Sequence, residues 1–66
     1  MIINLNDPVR SRDGNVLIIK KEMKLGFEVF RLYSYDERNE STIVAESFSP
    51  VGVTRRLQQL ISKRSA

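Results

Sequence analysis

The 66-residue chain has no cysteine, no histidine and no tryptophan, and only three glycines and two prolines. Without thiols or imidazoles there can be no disulfide staple, no thiolate nucleophile and no zinc site of the usual Cys/His kind. Long apolar runs are missing too: the longest is Val16–Ile19, far short of the roughly 20 residues that cross a bilayer. Met1-Ile2-Ile3-Asn4-Leu5 has neither the basic start nor the apolar stretch of a signal peptide, so a cytoplasmic protein without membrane association is expected. Gly14, Gly26 and Gly52 are too scattered for a phosphate loop, and no serine sits in a nucleophile elbow. Asp36, Glu37 and Glu40 are close in sequence but read as a solvated turn. Asp7 beside Pro8 and Asp13 beside Gly14 read as turn formers, their carboxylates bonding their own backbone. Neither an enzyme nor a metal or cofactor site is expected.

Acids are absent from the last twenty residues, which hold Arg55, Arg56, Lys63 and Arg64. The first 46 residues hold seven basic and eight acidic side chains. The formal net charge of +3 therefore arises wholly from the C-terminal part of the chain. A charge balance confined to one element marks a surface rather than a general aid to solubility.

Turn signals stand at Asn6-Asp7-Pro8, Asp13-Gly14-Asn15, Gly26 and Asp36–Glu40. Between them, segments rich in β-branched and aromatic residues predict strands over Val16–Lys24, Phe27–Tyr35 and Ser41–Phe48. The connections are too short for parallel crossovers, so the strands form an antiparallel meander. Val9–Arg12 would join through Asp13-Gly14 as a fourth, edge strand, and Ile2–Leu5 would pair with or cover an edge.

After Ser49-Pro50, a favourable N-cap and first helical residue, the apolar spacing becomes helical. Val53, Leu57, Leu60 and Ile61 form one stripe, predicting a helix from Pro50 to Lys63, with Thr54 as an alternative cap. The fold expected is α+β: a three-stranded meander, four-stranded with Val9–Arg12, followed by one amphipathic helix packed on one face. The chain is a single small domain, with 1–14 as N-terminal segment or edge strand, 15–48 as sheet and 49–64 as helix. At this length folding buries only about 60% of the unfolded surface, so a partner or a second copy would help complete the core.

Strand parity leaves neither sheet face clean. Leu17, Ile19 and Met23 share a face with Lys21, while Val16 and Ile18 share the other with Lys20, Glu22 and Lys24. In the next strand Phe27, Val29, Tyr33 and Tyr35 form the more apolar parity, with Arg31 among them, and this set is expected to be core. The third strand divides Ile43 and Ala45 from Val44 and Phe48. Apolar residues on both sides imply that the N-terminal segment or another molecule covers the second face.

Nucleic acid is the sharper functional expectation. The helix offers Arg55, Arg56, Lys63 and Arg64, with Gln58 and Gln59 as hydrogen-bonding neighbours. Lys63 and Arg64 in the last turn are explained by the helix dipole, whereas Arg55 and Arg56 have no acid at i±3 or i±4 within this segment. Alternatively the sheet binds: Tyr33 and Tyr35 flanking Arg31, joined by Lys20 and Lys24, would make a stacking platform if they pointed away from the helix. Three antiparallel strands and a helix are also the architecture of integrase arm-binding and AP2-type DNA-binding domains, which lay the sheet in the major groove. The chain resembles these in element order alone, and the resemblance implies Lys20, Lys24 and Arg31 as readers, with the helix as backing. The rival class is a protein-binding inhibitor, adaptor or small subunit, of a size that suits a phage or mobile element. It would dock, or form a homodimer, through an apolar sheet face or strand edge.

Overall fold

A computed structural model of the chain describes residues 5–61. Strands β1 (Val9–Arg10), β2 (Val16–Lys24), β3 (Phe27–Tyr35) and β4 (Ser41–Ser47) form one antiparallel sheet in chain order, and helix α1 (Pro50–Ile61) packs on one face of it. Meander and helix match the sequence reading. β1 is the expected fourth strand, pairing Val9 with Leu17 and Arg10 with Val16, but it ends at Arg10 rather than Arg12, which already belongs to the turn. The expected third strand stops at Ser47 rather than Phe48. Ile2–Asn4, and the helix extension through Lys63, lie outside the described residues. Just before β1 the Asn6 amide donates to the Ile19 carbonyl (2.8 Å), so the chain there borders β2.

The connections follow from local chemistry. Leu25 (φ 54°) and Gly26 (φ 82°) lie between the paired residues Lys24 and Phe27. Two successive positive φ values make a type I′ turn, whose twist matches that of the flanking strands. Gly26 suits this conformation, while Leu25 adopts it against its own preference. In the β3–β4 connection Asp36 Oδ1 accepts from the amides of Arg38 (2.9 Å) and Glu40 (3.0 Å), with Asn39 at φ 67°. The clustered acids are thus a turn, as expected. In the β1–β2 turn the Ser11 hydroxyl donates to Asp13, which also accepts from the Asn15 amide (3.4 Å).

The core lies between sheet and helix: Leu17 and Ile19 of β2, Leu32 of β3 and Val53 of α1. Phe30, Val44, Ala45, Leu57 and Leu60 pack around them. Each fully buried aliphatic side chain contributes about 1.5–3 kcal/mol. The helix begins as expected, with Ser49 Oγ accepting from the Val51 amide (3.3 Å). Thr54 is no cap: it is buried within the helix and donates to the Pro50 carbonyl (2.8 Å).

Two expectations about the faces are overturned. The helix covers the parity of Phe30 and Leu32, not that of Phe27, Val29, Tyr33 and Tyr35; of that second set Val29 is buried as expected, at 1% exposure, but without the helix over it. The cross-strand register supplies the reason. Ile19 stands opposite Leu32 and Leu17 opposite Ser34, so both central strands give aliphatic groups to this face. On the other face Lys20 opposes Arg31 and Glu22 opposes Val29. Three charges at the middle of a sheet cannot lie under an apolar helix stripe without a large desolvation cost. The second correction concerns β4: Leu32 pairs with Ala45 but Tyr33 with Ile43. Val44 is the extra residue of a β-bulge, which sends Ile43 and Ala45 to opposite faces despite their i, i+2 spacing.

Candidate functional site

Lys20, Lys24, Arg31, Tyr33 and Tyr35 all lie on the sheet face that the helix leaves open. Arg55, Arg56 and Gln59 are exposed on α1, on the other side of the sheet. The residues singled out in the sequence therefore divide into two surfaces facing opposite ways. Lys63 and Arg64 lie outside the described residues.

The open face is organised by Arg31. Its Nη1 donates to Glu22 Oε1 (2.8 Å) and its Nε to Glu46 Oε2 (2.6 Å). Glu22 lies on β2 and Glu46 on β4, so the guanidinium bridges the strands on either side of its own. The Tyr33 hydroxyl straddles the same Glu22 carboxylate, 2.8 and 2.9 Å from its two oxygens. The Lys24 ammonium stands 3.5 Å from Glu46 Oε1. Next to this network Lys20 donates to the Tyr35 hydroxyl (3.1 Å) and lies 5.1 and 5.7 Å from the ring centroids of Tyr33 and Tyr35, a cation–π arrangement. The two rings are 6.4 Å apart and both half-buried.

These contacts shift the ionisation of the groups involved. The Tyr33 hydroxyl and then the Arg31 guanidinium hold Glu22 below its ordinary value of 4.5. Arg31 does the same for Glu46. Arg31 in turn is raised, first by Glu46 and then by Glu22. Partial burial, together with the hydrogen bond to Glu22, raises the Tyr33 hydroxyl. The bond to Tyr35 raises Lys20.

The electrostatic consequence separates the two surfaces. On the sheet face Arg31 and Lys24 are matched by Glu22 and Glu46. A phosphate approaching Arg31 has to displace two carboxylates, and it meets their repulsion first. Two further cations stand on this face: Lys20 among its tyrosines, and Arg10 at the β1 edge, bonded to the Gly14 carbonyl (3.0 Å). On α1 there is no acid in the first turn or anywhere else in its sequence. Arg56 Nη1 donates to Gln59 Oε1 (3.0 Å), and neither Arg55 nor Arg56 joins an ion pair among the described residues. Arg12 is a third exposed arginine beside the helix, its amide bound to the Leu60 carbonyl (3.1 Å). Its place beside α1 was not legible in the sequence, because the turn carrying it meets the helix only in the folded chain.

A third surface lies at the β2–β3 turn end. Phe27 and Phe48 are each about two-thirds exposed and meet edge to face at 6.4 Å, lining a shallow groove with Glu28. Met23, Leu25 and Val51 are exposed at the same end. At the opposite end a polar cleft is lined by Asp13, Asn15, Asp36, Glu37 and Arg38. No group of three metal-ligating side chains occurs among the described residues, and no described helix is long and apolar enough to cross a membrane. No protein-family model, curated protein or solved structure matches the chain.

Proposed function

We propose that this protein is a small non-catalytic module that binds nucleic acid through the outer face of α1. The observation that carries the reading is the contrast between the two cationic surfaces. Arg55 and Arg56 lie adjacent and exposed on an acid-free helix, without carboxylate partners among the described residues, whereas Arg31 on the sheet is held by two glutamates. An acid-free row of guanidinium groups on a rigid helix complements a phosphate backbone. Gln58 and Gln59, exposed beside them, supply hydrogen bonds to phosphate or sugar. Contacts of this kind hold position on a duplex without reading sequence.

Salt titration on duplex DNA tests the proposal. Arg55, Arg56 and Arg12 contacting three phosphates give a log-log slope of affinity against salt of about −3. Replacing Arg55 and Arg56 together with Gln lowers affinity on all sequences alike and makes the slope shallower by about 2. Wild-type binding that ignores salt would refute the proposal. If Lys20→Gln and Arg31→Gln weaken binding while the helix variant does not, the site belongs to the open sheet face, as in the integrase-like geometry.

A further inference from the structure

The turn between β2 and β3 contains a residue that neither its backbone nor its surroundings favour. Leu25 occupies the first central position of a type I′ turn at φ 54°, a place suited to Asn, Asp or Gly. Its side chain is 89% exposed, so it gains nothing from burial within the chain. A large apolar residue that is both conformationally strained and solvated points to a contact outside the monomer.

Its surroundings say what that contact is. Phe27, Phe48, Met23 and Val51, at the same end, are 58–67% exposed. With about 150–250 Å² available on each aromatic side chain, and comparable areas on the aliphatic ones, these five residues present about 500–850 Å² in all, wrapped around the end of the sheet with Phe27 on its open side and Met23 on its helix side. One partner in a standard protein interface contributes about 800 Å². The bordering charges are Lys21 with Glu28 and Lys24 with Glu46, two cations and two anions in exposed pairs. A rim of balanced sign gives no preference for an acidic or a basic partner. It does let a two-fold axis set each lysine against a glutamate of the other molecule.

We infer that this apolar end is a self-complementary interface, and that a second copy of the chain covers it. Leu25, Phe27 and Phe48 form the centre, and the Lys/Glu pairs form the polar rim. The arrangement is isologous, so association stops at the dimer. It leaves the outer face of α1 free and does not depend on what that face binds.

Sedimentation equilibrium on the full chain, from micromolar to millimolar, tests the inference with the protein alone. The expected result is a reversible monomer–dimer equilibrium. Phe27→Ser combined with Phe48→Ser abolishes it; both side chains are mostly exposed, and circular dichroism checks that the monomer stays folded. Leu25→Asn separates a docking role from a structural one. By relieving the turn it raises the monomer's melting temperature, and by removing the anchor it weakens the dimer about tenfold or more, about 1.4 kcal/mol per tenfold. A monomer throughout the range, growth past the dimer without a plateau, or a dimer indifferent to these substitutions would overturn the inference.

Discussion

Gly52 sits in the first turn of a helix, where alanine ordinarily stabilises by about 0.5–1 kcal/mol. In this protein we expect the opposite. A Cβ added at Gly52 would lie 2.8 Å from Ser47 Oγ and 3.0 Å from Ser47 Cβ, at the end of β4. Ser47 cannot readily turn away, because its Oγ accepts the Ser49 amide at 3.1 Å in the link from β4 to α1. Overpacking of this kind costs about 1–3 kcal/mol. Set against the helix gain, Gly52→Ala should destabilise by about 1 kcal/mol, lowering the melting temperature of a domain this small by about 4–8 °C. The decisive assay is a double-mutant cycle with Ser47→Gly, followed by urea denaturation. Ser47→Gly removes both opposing atoms, so Gly52→Ala in that background should recover the helix gain. The expected coupling is about 2 kcal/mol, well beyond the ~0.5 kcal/mol scatter of independent sites. The loss of the Ser47 hydroxyl is common to both arms and cancels. A coupling near zero, or a Gly52→Ala that stabilises the unaltered chain, would refute the claim that glycine is there for close approach.

Leu32→Ala removes a fully buried side chain from the centre of the core and should cost about 2–5 kcal/mol. A domain of this size has roughly 3–10 kcal/mol in all, so urea denaturation should show most of the stability gone, and a loss under about 1 kcal/mol would contradict the core placement. The Arg31 network predicts acid sensitivity of definite sign. Glu22 and Glu46 have folded-state pKa values below 4.5, so their contribution is present above the ordinary carboxylate range and is lost as pH falls through the depressed values. The melting temperature should therefore fall more steeply below about pH 4.5 for the unaltered protein than for a Glu22→Gln/Glu46→Gln variant; identical acid limbs would show that the network contributes nothing.

Much of the architecture is local and was legible in the chain. Gly26 and Asp36–Glu40 punctuate three β-rich segments, Ser49-Pro50 opens a helix, and Val53, Leu57 and Leu60 form its buried stripe as their spacing predicts, while Ile61, expected in the same stripe, is exposed at its end. Each of these depends on residues a few positions apart, through φ preference, capping or period. The acid-free stretch around Arg55 and Arg56 was legible for the same reason: it is a fact of composition along one helix.

Which face of the sheet is core was not local. Taken alone, β3 favours Phe27, Val29, Tyr33 and Tyr35 as the buried set, yet of these only Val29 is buried, and the helix covers Phe30 and Leu32 instead. The register with β2 decided it, by setting Lys20 against Arg31 and Glu22 against Val29 on the other face. The bulge at Val44 was equally hidden, since an inserted residue is defined only against its partner strand. The candidate site divides along the same line. Sequence could name Arg31 and Arg55 as cations, but not that Glu22 and Glu46, 9 and 15 positions from Arg31, would close on it, while Arg55 joins no ion pair among the described residues. Periodicity and propensity are properties of neighbours in the chain, and they determined the elements. Neutralisation and burial are properties of neighbours in space, and only the tertiary structure decided which charges and which aromatics remain available to a partner.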